Sequence, residues 1–110
     1  MVTRILIVDD HPAVREGLAV RIASQADLEV CGEAADVGDA LKILVATRPD
    51  VAVVDIRLKT GDGLDLVKRI KARDESVRVL VWSVYPDKLY AERALNAGAL
   101  GYINKEHTTG

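Results

Sequence analysis

The order of apolar segments along the chain constrains the fold more than any other feature of the sequence. Five short runs rich in valine, isoleucine and leucine alternate with longer amphipathic segments; the runs cover residues 5–8, 28–31, 51–54, 77–82 and 99–103. Each run is largely continuous in apolar residues rather than alternating with polar ones. That pattern is typical of strands that are buried on both faces of a parallel sheet.

The segments between the runs carry helical periodicity. Residues 12–24 place Val14, Leu18 and Ile22 four positions apart, and comparable stripes predict helices over 37–47, 63–73 and 88–97. Asp36 is the predicted N-cap of the second helix, and Gly98 is the predicted C-cap of the fourth. The regular alternation of strands and helices favours a doubly wound α/β sheet with right-handed crossovers.

Length and composition indicate one ordinary globular domain. The chain has 110 residues and a formal net charge of −2, which gives no electrostatic reason to expect nucleic acid or an acidic membrane as a partner. No apolar stretch reaches the roughly 20 residues that a membrane span requires, and the N-terminus lacks the pattern of a secretion signal. Cys31 is the only cysteine and lies in an apolar run, so we expect a small buried side chain in a cytoplasmic protein.

Polar side chains follow four of the five predicted strands. Asp9 and Asp10 follow the first, Asp55 the third and Ser83 the fourth, while Lys105 comes just past the fifth. Open parallel sheets bind ligands beyond the carboxyl ends of their strands, so we expect these groups to converge in one crevice. Any one of them alone is commonly a helix cap, a turn residue or a solvated charge. Their joint placement favours a functional site.

The predicted crevice has a specific chemistry. Clustered carboxylate oxygens suit Mg²⁺, which prefers oxygen ligands and keeps water molecules that a phosphate can replace. A carboxylate can also attack phosphorus and form an acyl phosphate. A metal ion and a lysine neutralise the charge on the phosphoryl oxygens during such a transfer. The residues therefore predict a site that holds a phosphoryl group on an aspartate.

Four segments resemble the receiver domain of two-component response regulators: ILIVDDHP, VAVVDIRLKTGDGLDLVKRIKA, VRVLVWS and AGALGYINK. The DDHP run and the AGALGYINK segment are most similar to the NarL-type subfamily, whose members carry a helix-turn-helix output domain. The similarity extends from Ile5 to about Lys105. It implies a flavodoxin-like, five-stranded parallel sheet in the order 2-1-3-4-5. It also implies that residues 1–110 form a receiver domain truncated before the fifth helix of the family fold, with the output domain absent.

The resemblance assigns a role to each carboxylate at the predicted crevice. Asp55 corresponds to the phosphoacceptor. Asp10 corresponds to a direct Mg²⁺ ligand, and Asp9 binds the ion directly or through water. Asp55 and the backbone carbonyl of Arg57 complete the protein ligands of the ion.

The resemblance also implies a conformational switch and its partners. Ser83 corresponds to the switch hydroxyl, Lys105 to the phosphate contact and Tyr102 to the switch aromatic. A sensor histidine kinase or a small phosphodonor would supply the phosphoryl group. Homodimers are expected through the face of the fourth helix and fifth strand, or through the sheet face that the fifth helix would cover. DNA binding is expected only through the absent output domain.

The sequence fits other protein classes less well, and it departs from the family pattern at Lys59. A haloacid-dehalogenase-type phosphatase needs a carboxylate two residues after its nucleophile, where this chain has Arg57. Lys59 replaces the usual proline, which keeps open a pseudo-receiver that binds without being phosphorylated. A nucleotide-binding domain is disfavoured because no glycine-rich loop follows the first strand. His11 has no second histidine or cysteine at ligand spacing, so we predict a residue of the turn or helix start.

Overall fold

The computed structural model describes residues 1–56, 58, 61–83 and 88–104, and for 88–90 and 102–104 it describes the backbone alone. Five strands and four helices alternate along these residues. In chain order they are β1 (Thr3–Val8), α1 (Pro12–Ala23), β2 (Leu28–Ala34), α2 (Val37–Thr47), β3 (Val51–Asp55), α3 (Gly63–Arg73), β4 (Arg78–Ser83), α4 (Lys88–Ala97) and β5 (Gly101–Asn104). The predicted alternation is confirmed element by element.

The strands form one parallel sheet in the order β2-β1-β3-β4-β5, which confirms the predicted fold class and strand order. The register places Val8 opposite Val54 and Asp55 opposite Trp82. Between β1 and β2 the register shifts after Ile5, where the ladder has an irregularity. Because β1 and β3 are neighbours, the two acidic segments that follow them leave the sheet side by side.

Three strand boundaries differ from the sequence prediction by two residues or more, and the first is the start of β1, which lies at Thr3 rather than at residue 5. The second strand continues to Ala34, because Gly32 and Glu33 pair with β1 although neither is a large apolar residue. The fifth strand begins at Gly101 rather than at residue 99. The reason is that the backbone N–H of Ala99 donates to the carbonyl of Ala94 and so closes the end of α4.

The core has two parts, one on each face of the sheet. The larger cluster contains the buried residues Leu44, Leu66, Val67, Ile70 and Ala94 of α2, α3 and α4, packed against the strands. On the other face the central strands meet α1. Burial of these apolar surfaces supplies most of the stabilisation of a domain of this size.

The face that carries α1 is covered unevenly. Ile22 of α1 packs with Val53 and Trp82, and all three are buried. The strand residues Val51 and Leu80 of the same face are partly exposed. The apolar surface of this sheet face is therefore buried where α1 covers it and partly open to solvent at Val51 and Leu80.

Two helix ends follow the predicted chemistry. The side chain of Asp36 accepts a hydrogen bond of 2.8 Å from the backbone N–H of Asp39, as expected of an N-cap. Gly98 adopts a φ of 114°, the left-handed conformation that commonly ends helices, directly after α4. Among the described residues, no helix has both the length and the apolar content needed to cross a bilayer.

Candidate functional site

The carboxyl ends of β1 and β3 bring three aspartates together. Asp9 follows β1 directly, and its N–H donates to the carbonyl of Ala34, which extends the ladder with β2 by one step. Asp55 is the last residue of β3. Asp9 is fully buried and Asp55 is 2% exposed, while the side chain of Asp10 is 7% exposed. These carboxylates converge at one edge of the sheet, as predicted for residues that follow parallel strands.

A histidine completes this group. One ligand atom from each of Asp9, Asp10, His11 and Asp55 lies within 4.8 Å of the others, and we call these four residues the acidic pocket. The Nδ1 atom of His11 is 2.9 Å from Oδ1 of Asp9 and 3.1 Å from Oδ1 of Asp10. It is 3.6 Å from Oδ2 of Asp55. The imidazole therefore faces all three carboxylates.

The placement of His11 was predicted only in part. Pro12 begins α1, so His11 occupies the N-cap position with extended backbone, as a residue before proline prefers. Its side chain does not cap the helix. Instead its backbone N–H donates to Oδ1 of Asp9 at 2.8 Å, and the ring turns toward the same oxygen. The contact with the carboxylates was missed, because a side-chain orientation of this kind is set by the tertiary structure.

Arg15 fixes the loop that carries the acidic pocket. From the first turns of α1, its guanidinium donates a hydrogen bond of 2.7 Å to the backbone carbonyl of Asp9. The same group is 3.4 Å from a carboxylate oxygen of Glu33 in β2. The arginine side chain is only 20% exposed, so solvent screens these contacts less than it would on an open surface. The result is a link between α1, β2 and the end of β1.

The start of α3 approaches the end of β3 very closely. The N–H of Gly63 donates to the carbonyl of Ile56. A Cβ atom added at Gly63 would contact the carbonyl oxygen of Asp55 and would lie 2.7 Å from Cα of Ile56. Only glycine fits this approach without displacing backbone, so Gly63 sets how α3 packs beside Asp55.

The remaining predicted site residues are described to different extents. Ser83 ends β4, is 1% exposed and lies one position past the residue that pairs with Asp55. The backbone of Tyr102, in β5, pairs with Val81 of β4. The side chain of Tyr102 lies outside the described residues, as do Arg57 and Lys105. Ser83 is thus at the same edge of the sheet as the acidic pocket.

The donor set of the acidic pocket fits a hard divalent cation. Its oxygens come from three carboxylates that are almost completely removed from water. Three carboxylates with ligand atoms within 4.8 Å of one another repel each other, and a bound cation would offset this repulsion. Carboxylate oxygens are the ligands that Mg²⁺ prefers, and the ion binds with several waters retained.

Comparison with known proteins identifies the family. Residues 5–110 match the response regulator receiver domain. The DNA-binding transcriptional activator DevR/DosR of Mycobacterium tuberculosis is 38% identical over 103 residues, covering 94% of this chain and 48% of that protein. The transcriptional regulatory protein LiaR of Bacillus subtilis is 38% identical over 104 residues, covering 93% of this chain and 48% of that protein. The chain spans about half the length of these curated relatives.

A solved structure agrees with this assignment. A two-component response regulator of the LuxR family from Aurantimonas sp. SI85-9A1 superposes with a TM-score of 0.90 at 36% identity, covering 96% of this chain and 75% of that chain. The chain therefore belongs to the response regulator receiver domain family, the phosphorylation-dependent switches of two-component signalling. The resemblance drawn from the sequence motifs is confirmed.

Proposed function

We propose that this domain accepts a phosphoryl group on Asp55 in a reaction that requires Mg²⁺, and that it transmits the signal by changing conformation. The observation that carries the proposal is the acidic pocket itself. Asp55 is buried at the end of a central strand, and its carboxylate lies within 4.8 Å of ligand atoms from Asp9 and Asp10. Asp55 is the last residue of β3, and this is the position that the family motif gives to the phosphoacceptor.

Asp9, Asp10 and Asp55 would hold the ion, with the backbone carbonyl of Arg57 as the remaining protein ligand that the family resemblance implies. A bound Mg²⁺ supplies charge neutralisation for the phosphoryl oxygens. The protein supplies the arrangement: β1 and β3 orient the carboxylates, and Arg15 holds the loop after β1 through the carbonyl of Asp9. Such preorganisation lowers the cost of reaching the transition state.

Asp55 acts as the nucleophile. One carboxylate oxygen attacks phosphorus in line with the leaving group, the bond from phosphorus to the donor breaks, and an acyl phosphate forms on Asp55. Lys105 is proposed to contact a phosphoryl oxygen. The donor is a phosphohistidine of a sensor histidine kinase or a small acyl phosphate. We propose a domain that catalyses only its own phosphorylation and dephosphorylation.

Ser83 and Tyr102 are proposed to form the switch. The hydroxyl of Ser83 is buried at the neighbouring strand end, within the edge of the sheet that would receive the phosphoryl group. Movement of Ser83 toward that group would let the ring of Tyr102 turn inward and alter the surface formed by α4 and β5. Phosphorylation then acts as a ligand that shifts the population of two states.

The output of the whole protein is proposed to be transcription. DevR/DosR is named as a DNA-binding transcriptional activator and LiaR as a transcriptional regulatory protein. By analogy, a protein that contains this domain would act on DNA through a separate output domain. The same proposal includes a cytoplasmic location. It also includes dimers that form through the α4–β5 surface or through the α1 face of the sheet.

The test is phosphorylation by acetyl phosphate, followed by intact mass spectrometry with and without Mg²⁺. Wild type is compared with Asp55→Asn, which removes the nucleophilic charge at nearly constant size. The matched control is Asp39→Asn, which changes an exposed aspartate in the first turn of α2, outside the acidic pocket. Circular dichroism establishes that all three proteins are folded.

The proposal expects a phosphoryl adduct in wild type and in Asp39→Asn, and none in Asp55→Asn or without Mg²⁺. A folded wild type that gains no adduct would instead support the pseudo-receiver. An adduct that persists in Asp55→Asn would show that another residue accepts the phosphoryl group, and the assignment of Asp55 would be wrong.

A further inference from the structure

The side chain of His11 is directed into the acidic pocket although it stands at a helix N-cap. A residue in this position commonly turns its side chain back to the first free N–H groups of the helix. His11 does not, and its Nδ1 atom lies 2.9 Å, 3.1 Å and 3.6 Å from oxygens of Asp9, Asp10 and Asp55. The imidazole thus adds one nitrogen to a pocket that otherwise offers oxygen.

These distances match the spacing of ligand atoms around one ion. In a six-coordinate site with bonds of about 2.1 Å, neighbouring ligand atoms lie about 3 Å apart. The separations of Nδ1 from the oxygens of Asp9 and Asp10, 2.9 Å and 3.1 Å, have this size. The longer separation from Asp55, 3.6 Å, closes with a small rotation of a side chain that is 56% exposed and therefore has room to move. The nitrogen can enter the same coordination shell as the three carboxylates.

We propose that His11 is a ligand of the metal site and sets its ion selectivity. With this ligand the site prefers ions such as Zn²⁺ over Mg²⁺ more strongly than its carboxylates alone would. The proposal rests on the proposed metal site of the receiver domain and deepens it. Imidazole suits Zn²⁺ and the other borderline transition ions, whereas Mg²⁺ is bound through hard oxygen donors. A nitrogen ligand should therefore strengthen Zn²⁺ binding strongly and Mg²⁺ binding very little.

The surrounding contacts favour a ligand role over an ordinary surface histidine. The backbone N–H of His11 already donates to Oδ1 of Asp9 at 2.8 Å, so this oxygen is oriented without help from the ring. The guanidinium of Arg15 holds the carbonyl of Asp9 from the other side. These two hydrogen bonds hold the loop in addition to the contact of the ring with Asp9, so the imidazole already lies where it could bind an ion together with the carboxylates.

The test is a calorimetric titration of metal-free protein with Mg²⁺ and, separately, with Zn²⁺. The variants are His11→Ala, which removes the ring, and His11→Asn, which places an oxygen donor on a residue favoured at helix N-caps. Asp55→Asn is titrated in parallel, and only binding lost in that variant is assigned to the pocket. The fluorescence of Trp82, the only tryptophan and the strand partner of Asp55, gives a second readout of occupancy.

Both His11 variants are expected to bind Zn²⁺ at least tenfold more weakly than wild type, the scale on which single contacts change metal affinity. Their Mg²⁺ affinity should change less than about threefold, and circular dichroism should be unchanged. In wild type, Zn²⁺ should also shift the ring resonances of His11 in an NMR spectrum, whereas Mg²⁺ should shift them only slightly.

Two outcomes overturn the inference, and they differ in what else they imply. If wild type binds Mg²⁺ in an Asp55-dependent way, but the His11 variants lose no more affinity for Zn²⁺ than for Mg²⁺, His11 is not a selecting ligand and the proposed receiver site stands. If neither ion shows Asp55-dependent binding in folded wild type, the metal site of the proposed function fails together with the inference.

Discussion

Replacing Gly63 by alanine tests the account of how α3 packs beside β3, the strand that ends in Asp55. The added Cβ would contact the carbonyl oxygen of Asp55 and lie 2.7 Å and 2.8 Å from Cα and the carbonyl oxygen of Ile56. All three are backbone atoms, so no side chain can rotate away. Either the start of α3 or the end of β3 must move by several tenths of an ångström.

The expected cost follows from overpacking. Forcing extra carbon into a closely packed contact destabilises a domain by about 1–3 kcal/mol. Alanine recovers little by its higher helix propensity, because Gly63 is the first residue of α3 and not an interior one. We therefore expect Gly63→Ala to lower the free energy of unfolding by about 1–3 kcal/mol. Because the displaced backbone carries Asp55, phosphorylation by acetyl phosphate should also slow.

The matched control is Gly17→Ala in the middle of α1. Apart from its chain neighbours and the backbone of its own helix, no heavy atom of the described residues lies within 4 Å of a Cβ built on Gly17. The same chemical change should here stabilise the protein by about 0.5–1 kcal/mol, since glycine is unfavourable in a helix interior. Urea unfolding followed by Trp82 fluorescence and far-UV circular dichroism measures both variants.

The two alanine variants should thus move in opposite directions. Equal stabilities, or a Gly63→Ala protein at least as stable as wild type, would refute the reasoning that this glycine is required by a close backbone approach. Loss of phosphorylation without loss of stability would keep the positional argument for Asp55 but show that the backbone yields at little cost.

Three further predictions concern the surroundings of the site and the helix ends. Arg15→Met keeps the aliphatic stem but removes the donor to the carbonyl of Asp9. The Mg²⁺ affinity measured by calorimetry should fall several-fold, and the free energy of unfolding measured in urea should fall by about 1–2 kcal/mol. Arg48 ends α2 with a φ of 47°, a conformation unfavourable for a residue with a Cβ, so Arg48→Gly should raise the urea midpoint by the equivalent of about 1 kcal/mol. The side-chain hydrogen bond from Ser76, with that from its backbone, lowers the pKa of Asp74 below its ordinary value of 3.8. This contribution to folding is present above the unfolded pKa and is lost as the pH falls through the lower native pKa. Ser76→Ala should therefore raise the pKa of Asp74 in an NMR titration, and an unchanged value would contradict the assigned cause.

The sequence predicted the elements of the fold well because their signals are local. Continuous apolar runs and four-residue stripes located the five strands and four helices that the structure describes. The boundaries that were missed depend on distant partners. Gly32 and Glu33 belong to β2 because they pair with β1, and Ala99 is excluded from β5 because its N–H serves α4. The strand order came from the family resemblance, since periodicity does not encode it.

The convergence of the carboxylates was predicted from the sequence, whereas the contacts of their neighbours were not. Parallel strands present their carboxyl ends at one edge, so Asp10 and Asp55 were expected to meet. The ring orientation of His11 and the close approach of Gly63 depend on tertiary packing, which the pattern of residue types does not reveal. The roles of all the predicted site residues stay predictions: Asp9, Asp10, Asp55, Arg57, Ser83, Tyr102 and Lys105.

The central position of β1, between β2 and β3, makes the acidic pocket a sensor of correct folding. Asp10 and Asp55 are separated in the chain by α1, β2 and α2, and they become neighbours only when β3 pairs with β1. Closing such long loops carries an entropic cost and delays assembly. An ion held by both strands would bind the folded chain alone and would raise its melting temperature by mass action. The shift of a melting curve with divalent ion concentration would therefore report, without any label, how much of the chain has paired β1 with β3.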